Sequence, residues 1–557
     1  MMNLPMHNPI NRTGPLVRTG HLAWAWFVLT LVTGLVVFMP QRAVAIHHEL
    51  GWGEPFEMMG KRMAFTTWYW VRPGQFDWQD DEGKSVFADR SVMAKANDPH
   101  THWVEYDLPH GIQLLCEPAQ KGEFPIEPEY PWEKDGIEIT GLLQLEDKIM
   151  AWGNCKPGGG CYFESKDGVT WERPRLGLVE FEGSKENNLA PSSGSRMFYD
   201  PMAPPAERFK RATNSDYDLE AFEEYKQRRP WQKMATETDP GRVHAVFGSV
   251  SPDGFHWTDL PDPISVEASD GGQYIYYDPK LKKYVMYMRT YQVGSRAEGY
   301  PLEHTRYHQF AGRRAIGRSE SADFRNFPLS EIVIETGTSM SPTDTFYFNV
   351  YTTVPGAPEN HLMFPSRYIQ ARDGCAIDLY TSQEGKVWHL APGSPVLEMS
   401  DYGQWDGGAL WMPNPGLVEL GDGSWVIPFR GDPLPHKYPR GYYAEKWGLA
   451  IWPKGRLMGI EAADKGHFTT FAFLAPGKQA RINASTSRTG EVLVEAADFY
   501  GKPIPGRTFD DAIPIIGDQH KTLIRWKKHD DLGIEPGEPV MLRFKMQQAK
   551  LYFVDFQ

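Results

Sequence analysis

A chain of 557 residues is longer than one ordinary hydrophobic core needs, so two or three domains are expected, although all-β barrels and propellers spend roughly 200 residues or more on a single one. Aromatic residues make up 13% of the chain, and 53 Gly and 45 Pro interrupt it too often for long helices, which favours an all-β fold. The formal net charge of −14 argues against nucleic acid as a partner, because affinity for a phosphate backbone comes from clustered Lys and Arg.

From the N-terminus, Arg12 and Arg18 precede an apolar run from Leu22 to Met39, followed by Pro40 and Ala43-x-Ala45. A basic start, an apolar centre and a small-residue end form an export signal, so residues 1–45 are assigned as a signal peptide or signal anchor. The run is longer than a usual signal core, so both cleavage before Ile46 and retention as a membrane tether through residues 22–39 fit it. Either way the globular part is exported to the periplasm, cell surface or medium. Residues 46–109 form an N-terminal segment whose aromatic run "TTWYW" fits strands or a short helix of either neighbour.

In an oxidising compartment Cys155 and Cys161, which bracket "KPGGG", can close a small disulfide. Cys116 and Cys375 fit a second pair or buried thiols. The spacing offers no CxxC pair and no zinc pattern, so neither a cysteine-held metal nor another cofactor is expected, with Ca²⁺ left open.

From about residue 110 the chain repeats itself. "SKDGVTW" at Ser165 recurs as "SPDGFHW" at Ser251, with degenerate copies "SESADFRNF" at Ser319 and "SQEGKVW" at Ser382. Upstream of these turns stand strand–turn–strand patterns centred on Asp147, Asp200, Asp278, Pro355 and Asp422, spaced 53 to 78 positions apart. Five hairpins with recurring turns predict five four-stranded sheets about one axis, a five-bladed β-propeller over residues 110–466. A sandwich needs no such ordered recurrence. After Phe468 short alternating strands predict a C-terminal β-sandwich over 467–557.

In a propeller the innermost strand of each blade starts at one end of the axis, so residues there converge. Before the five first strands stand Asp135 and Glu138, then Arg196, Asp270, Asp344 and Asp406. Carboxylates gathered at one mouth repel one another and split their pKa values, as glycosidic cleavage requires of a proton donor and its partner. Glu138, Asp270, Asp344 and Asp406 are therefore the catalytic candidates, with Asp270 or Asp344 as base and Glu138 or Asp406 as donor. Trp132, Tyr274, Phe346, Trp405 and Trp411 offer faces for sugar rings. Arg196, Arg289 and Arg367 can reach the same funnel. Arg306, Arg313, Arg314 and Arg318, with His304 and His308 nearby, crowd one stretch, and Arg forks of this kind suit a carboxylate or sulfate on an anionic sugar. Asp167, Asp253, Asp200 and Asp278 read as turn-holding residues. Motifs for a serine hydrolase, a P-loop, a dinucleotide site or an HExxH metal site do not occur in the sequence.

The ordered segments "PWEKDG", "CYFESKDGVTWERPRLGLVEFEGSKENNL", "YDPMAPPAERFK", "VSPDGFHWTDLPDP", "GRRAIGRSESADFRNFP", "LMFPSRY" and "QWDGGALW" resemble a set of exported, glycosyl hydrolase-like bacterial proteins common in planctomycetes. That set is related to the five-bladed propeller furanosidases of glycoside hydrolase families 32, 43 and 62. The likeness runs from about residue 85 to the end. It implies a propeller, three acids on successive blades and a carbohydrate substrate, with Glu138, Asp270, Asp344 and Asp406 as the places to look. The chain departs from the families of known chemistry in lacking a "WMNDPNG"-type first-blade motif and an "EC" donor motif, and in carrying Arg196 in the second blade. Two functions follow as expectations: a glycoside hydrolase acting on polysaccharide-derived glycans, or a non-catalytic carbohydrate-binding or scaffolding propeller.

Overall fold

Each repeated turn builds itself from the same few side chains. Ser165 Oγ accepts from Gly168 N at 2.8 Å, while Asp167 Oδ1 accepts from Val169 N at 2.8 Å and Thr170 N at 2.7 Å. Ser251 and Asp253 repeat the pattern with Gly254, Phe255 and His256. The glycines are required: Gly168 and Gly254 have φ of 69° and 85°, a left-handed conformation that a Cβ disfavours. In the degenerate fourth turn Ser382 keeps its bond to Gly385 N, and Glu384 replaces the Asp by accepting from Val387 N. The closing indoles Trp257 and Trp388 each donate back to the turn glycine's carbonyl, at 3.0 and 3.1 Å.

The computed structural model describes residues 53–73, 108–145, 148–192, 196–228, 237–239, 242–267, 269, 271–292, 312–437 and 444–557. Asp147, Asp270, His304, Arg306, His308 and the apolar run at 22–39 lie outside these described residues. Among the described residues no helix is long and apolar enough to cross a membrane.

Five antiparallel sheets follow one another along the chain in a five-bladed propeller arrangement. Blade I holds Ile137–Gln144, Ile149–Cys155 and Gly159–Ser165. Blade II holds Met197–Tyr199, Phe209–Asp218, Arg242–Ser251 and Thr258–Ser265, with a helix, Leu219–Arg228, between its second and third strands. Blade III runs Tyr274–Asp278, Lys283–Gln292, Arg313–Ser321 and Glu331–Ile334. Blade IV is built on Thr345–Val354, Ala357–Ile369, Tyr380–Ser382 and His389–Leu390. Blade V takes Ala409–Trp411, Trp425–Asp432 and Lys446–Trp452, and its outer strand is Gln120–Gly122, from ahead of blade I. That borrowed strand covers an edge and ties the last blade to the first, which is how a ring of sheets leaves few open edges. Blades I and V share a core in which Ile139, Leu142 and Phe163 meet Val418, Val426 and Leu449.

A separate seven-stranded sheet has Pro539–Phe556 at its centre, flanked by Met458–Thr469 and by Ala480–Ala497. It recruits two strands from the N-terminal part of the chain: Arg62–Ala64 pairs with Pro539–Phe556, and Gln113–Cys116 with Met458–Thr469. Arg62 then bridges sheet and propeller, its guanidinium meeting Asp555 at 2.6 Å and Glu419 at 2.7 Å. Cys155 and Cys161 form the disulfide, with Cα atoms 5.8 Å apart, whereas Cys116 and Cys375 are buried free thiols.

Candidate functional site

In an antiparallel blade the first strand enters at the same end of the axis at which the second strand leaves. The mouth is therefore read from both. At this end Tyr347 and Phe348, in the first strand of blade IV, meet Trp411 of blade V with ring centroids 5.4 and 5.9 Å apart. Trp411 donates its indole N–H to Asp432 Oδ2 at 3.2 Å, so the inner strand of blade V grips the last residue of its neighbour. Arg430 lies over the Trp411 ring at 5.7 Å and pairs with Glu445 at 2.7 Å.

Burial raises the Asp432 carboxyl above its ordinary range. Nearby Arg430 and the Trp411 hydrogen bond oppose that rise, and Glu445 adds to it. His436, whose ring centroid stands 4.7 Å from that of Trp411 and 5.1 Å from that of Tyr347, is pushed down to about 4, first by desolvation. It is neutral at physiological pH, able to donate from one ring nitrogen and accept at the other.

Three arginines complete the mouth. Arg289, in the second strand of blade III, pairs across the ladder with Ile316, while Arg314 in the third strand stands two places before Ile316. That register puts both on one face of the sheet as diagonal neighbours. Their guanidiniums lie 4.8 and 4.7 Å from the Tyr347 ring centroid. Arg289 Nε also donates to the Tyr347 carbonyl at 2.9 Å. Arg196, ahead of the first strand of blade II, donates to the Gln273 amide oxygen at 3.2 Å and lies 5.9 Å from the Phe348 ring. It holds φ of 57°, a strained backbone for a residue with a side chain. Gly271 packs beside the same group: a Cβ there would stand 3.5 Å from Arg289 Nη2 and 3.7 Å from Phe348.

Of the residues singled out from the sequence, Arg196, Arg289 and Trp411 come together here. Trp411 is only 2% exposed, so its ring is part of the wall, whereas Phe348 is half-buried. Each described carboxylate of the expected quartet is held by a cation. Glu138 meets Lys156 at 3.1 Å, beside the disulfide loop. Asp344 and Asp378 share the fork of Arg367, at 3.1 and 2.7 Å. Asp406 is fully buried against Lys121 of the borrowed strand, and a Cβ on Gly431 would meet its own Cβ at 2.5 Å, which places it over the face of blade V.

The remaining aromatic candidates pack elsewhere. Trp405 packs on Phe429 beneath Lys446. Trp132 stacks on Tyr130 at 4.8 Å and donates to Asn188 at 2.8 Å. Tyr274 and Phe346 are core residues, 2% and 1% exposed. Arg318 pairs with Glu320 and belongs to the blade's own charge network.

Asp432, His436, Tyr347 and Phe348 escaped the sequence reading. The usable signal was the segment leaving the second strand, "PFRGDPLPHK", which reaches the mouth by the same antiparallel geometry as the first-strand starts. A cavity of about 410 Å³ elsewhere, lined by Ile513, Ile516, Gln519, Leu523 and Arg525, belongs to the seven-stranded sheet and brings no cluster of titratable groups together.

No family model matches the chain, and no curated protein does. Among solved structures it is similar to an N-acetylgalactosamine deacetylase from F. plautii in complex with blood group B trisaccharide, at 14% identity and a TM-score of 0.35, over 61% of this chain and 94% of that one. A thermostable family-43 glycoside hydrolase matches at 13% and 0.34, over 57% and 88%. The Bombyx mori family-32 β-fructofuranosidase matches at 9% and 0.31, over 80% and 94%. Families 43 and 32 are two of the families to which the set resembled by the sequence is related.

Proposed function

We propose that the protein is an exported glycoside hydrolase that cleaves polysaccharide-derived glycans at the propeller mouth by carboxylate acid/base chemistry, with the seven-stranded sheet as part of an accessory β-sandwich. The observation that carries this reading is Asp432. A carboxyl with a raised pKa, fixed by an indole N–H beside an aromatic and arginine-lined recess, is what a proton donor to a glycosidic oxygen requires. The base or nucleophile is sought at Asp270, which precedes Gly271 in the chain. Phe348 offers a face for the sugar ring, and His436 supplies a neutral donor and acceptor for its hydroxyls.

A non-catalytic carbohydrate-binding propeller is the second reading. It is favoured by the ion pairs of 3.1 Å or shorter that engage Glu138, Asp344 and Asp406, since a carboxylate locked to Lys or Arg is poorly placed to attack or to give up a proton, whereas Arg430 stands 3.7 Å from Asp432 Oδ2.

Purified full-length protein, assayed for reducing-sugar release on a panel of plant and algal glycans beside Asp432→Asn and Asp270→Asn, tests both. Turnover that falls about a hundredfold or more in Asp432→Asn supports the hydrolase. Turnover equal in all three proteins overturns the catalytic assignment, and binding without turnover establishes the second reading.

A further inference from the structure

In the loop that enters the innermost strand of blade V, the chain holds an aromatic ring out in water. Tyr402 is 77% exposed, and Asp401, Gly403 and Gln404 around it are exposed as well. Single exposed aromatics are ordinary on a protein surface and by themselves point to no ligand. What sets Tyr402 apart is how firmly its loop is held, and what it is held to.

Lys121 anchors the start of the loop at the Glu398 carbonyl, 2.7 Å, and at Ser400 Oγ, 2.9 Å, and its end at the buried Asp406 carboxylate. Between these points Gln404 N donates to the Asp401 carbonyl at 3.0 Å and Gly407 N to the Gln404 carbonyl at 3.1 Å, so two successive turns fold the tip back on its own stem. A Cβ on Gly407 would meet the Asp401 carbonyl oxygen at 2.2 Å and stand 3.2 Å from the Tyr402 Cα, so only glycine allows this closure. Gly408 then donates to the Asp432 carbonyl at 2.8 Å, and a Cβ on it would strike the Leu434 backbone at 2.2 Å. Through Gly407 and Gly408, Tyr402 is fastened to the strand end that carries Asp432 and leads to His436.

A ring left in water forgoes the stabilisation of burial, but on a fixed backbone a tyrosine has only two side-chain torsions to lose when a ligand covers it. A sugar ring offers the matching surface, with an apolar face of C–H groups for the phenol and hydroxyls for the polar groups beside it. Asp401 and Gln404 carry an acceptor and a donor–acceptor pair for those hydroxyls. The tip is exposed where Trp411 and Asp432 are buried, so a sugar on it lies outward of one seated in the recess.

We propose that Tyr402 is an outer binding position for a glycan chain: its ring takes a sugar unit beyond the one in the Asp432 recess, and the substrate is an oligosaccharide or polysaccharide chain, not a disaccharide. The inference rests on the reading of this mouth as a carbohydrate site and adds the length of the substrate.

Calorimetric titration of the full chain with neutral xylan-, arabinan-, galactan- and fructan-derived ladders, from disaccharide to hexasaccharide, tests it. Affinity of the wild type for one ladder should rise with length, and Tyr402→Ala should weaken the hexasaccharide about three- to tenfold more than the disaccharide, the range of one aromatic stack. Tyr402→Phe, which keeps the ring, should retain most of the gain. Tyr500→Ala is the control: Tyr500 is 74% exposed just after the strand Ala480–Ala497 of the seven-stranded sheet, and its loss should leave the length dependence as in wild type. Melting temperatures of all variants separate a lost ligand contact from a lost fold. Affinity independent of length, or a length gain that survives Tyr402→Ala, overturns the inference and leaves the recess a site for short sugars. A loss in Tyr402→Ala that is equal for both lengths also overturns it, because the loop would then be shaping the recess itself. Failure of every ladder to bind overturns the carbohydrate reading, and this inference with it.

Discussion

Trp411 and Asp432 are joined by an indole N–H to carboxylate hydrogen bond of 3.2 Å, which links the innermost strand of blade V to the mouth end of its second strand. The bond fixes a carboxyl that burial drives toward its protonated form. The consequence for pH is definite in sign. A folded-state pKa above the unfolded value makes Asp432 contribute stability that is full below the ordinary carboxylate range and is lost as pH rises through the raised folded value. Asp432→Asn, neutral throughout, should therefore gain in melting temperature relative to wild type as pH rises above the ordinary carboxylate value of about 4. Over the same rise wild-type turnover should fall as the donor loses its proton. A melting-temperature difference that does not change with pH would remove Asp432 as the titrating group.

Glu133 is fully buried, and its carboxylate is held by Arg173 Nε at 2.9 and 3.2 Å and by Glu129 N at 2.9 Å. The Arg173 guanidinium also lies 5.7 Å over Tyr130, which stacks on Trp132. Removing the cation leaves a charge inside the protein, so Arg173→Ala should cost about 3–5 kcal/mol, whereas Glu133→Gln in the same chain should return a good part of it. Chemical denaturation of the two single variants and the double variant measures this. A double variant no more stable than Arg173→Ala would mean that Arg173 acts through packing alone.

What was legible in the sequence is what is local. Ser165, Asp167 and Gly168 make their turn within a few residues, and Asp200 and Asp278 accept backbone N–H bonds from the residues that follow them, so repetition exposed both the turns and the five-blade arrangement. Strand recruitment was not legible. Gln120–Gly122 is three residues long, too short for any periodicity, and its partner Leu449–Ile451 lies more than 300 positions away. The same holds for Arg62–Ala64 on the C-terminal strand.

At the site, aligned first-strand starts led to Arg196 and Trp411, and second strands to Arg289. Composition cannot tell a carboxylate at an open mouth from one bound to its own lysine, and that is the difference between the expectation for Asp406 and its ion pair with Lys121.

The Asp-bearing turns give a prediction with the opposite pH sign. Backbone N–H groups and Ser165 hold Asp167 down to about 2, and at Asp253 the bonds from His256, Phe255 and Ser251 outweigh partial burial to reach a similar value. Depressed carboxylates contribute stability above the ordinary value of about 4 and lose it as pH falls through about 2. Asp253→Ala should lower stability by about 1 kcal/mol at neutral pH, comparable to loss of a helix cap and kept small by solvent screening of a half-exposed group. The deficit should vanish near pH 2, and sugar binding at the mouth should be unaffected. A binding defect without a stability defect would show that the turn does more than hold its blade.

The last prediction concerns closure of the ring. Lys121 belongs to the outer strand of blade V, drawn from the chain before blade I, and its ammonium reaches the Glu398 carbonyl at 2.7 Å, Ser400 Oγ at 2.9 Å and the buried Asp406 carboxylate. One side chain thus fastens the loop that precedes the innermost strand to the strand that completes the blade. Lys121→Ala leaves Asp406 charged and uncompensated in the interior, and should destabilise by about 3–5 kcal/mol. Lys121→Met with Asp406→Asn keeps the volume, removes both charges and should recover most of that loss. The pair also separates two roles for Asp406. If it is an anchor, Asp406→Asn lowers the melting temperature and leaves turnover per folded molecule unchanged. If it takes part in proton transfer, the variant loses turnover with its fold intact, and the Lys121→Met double variant, however stable, stays inactive.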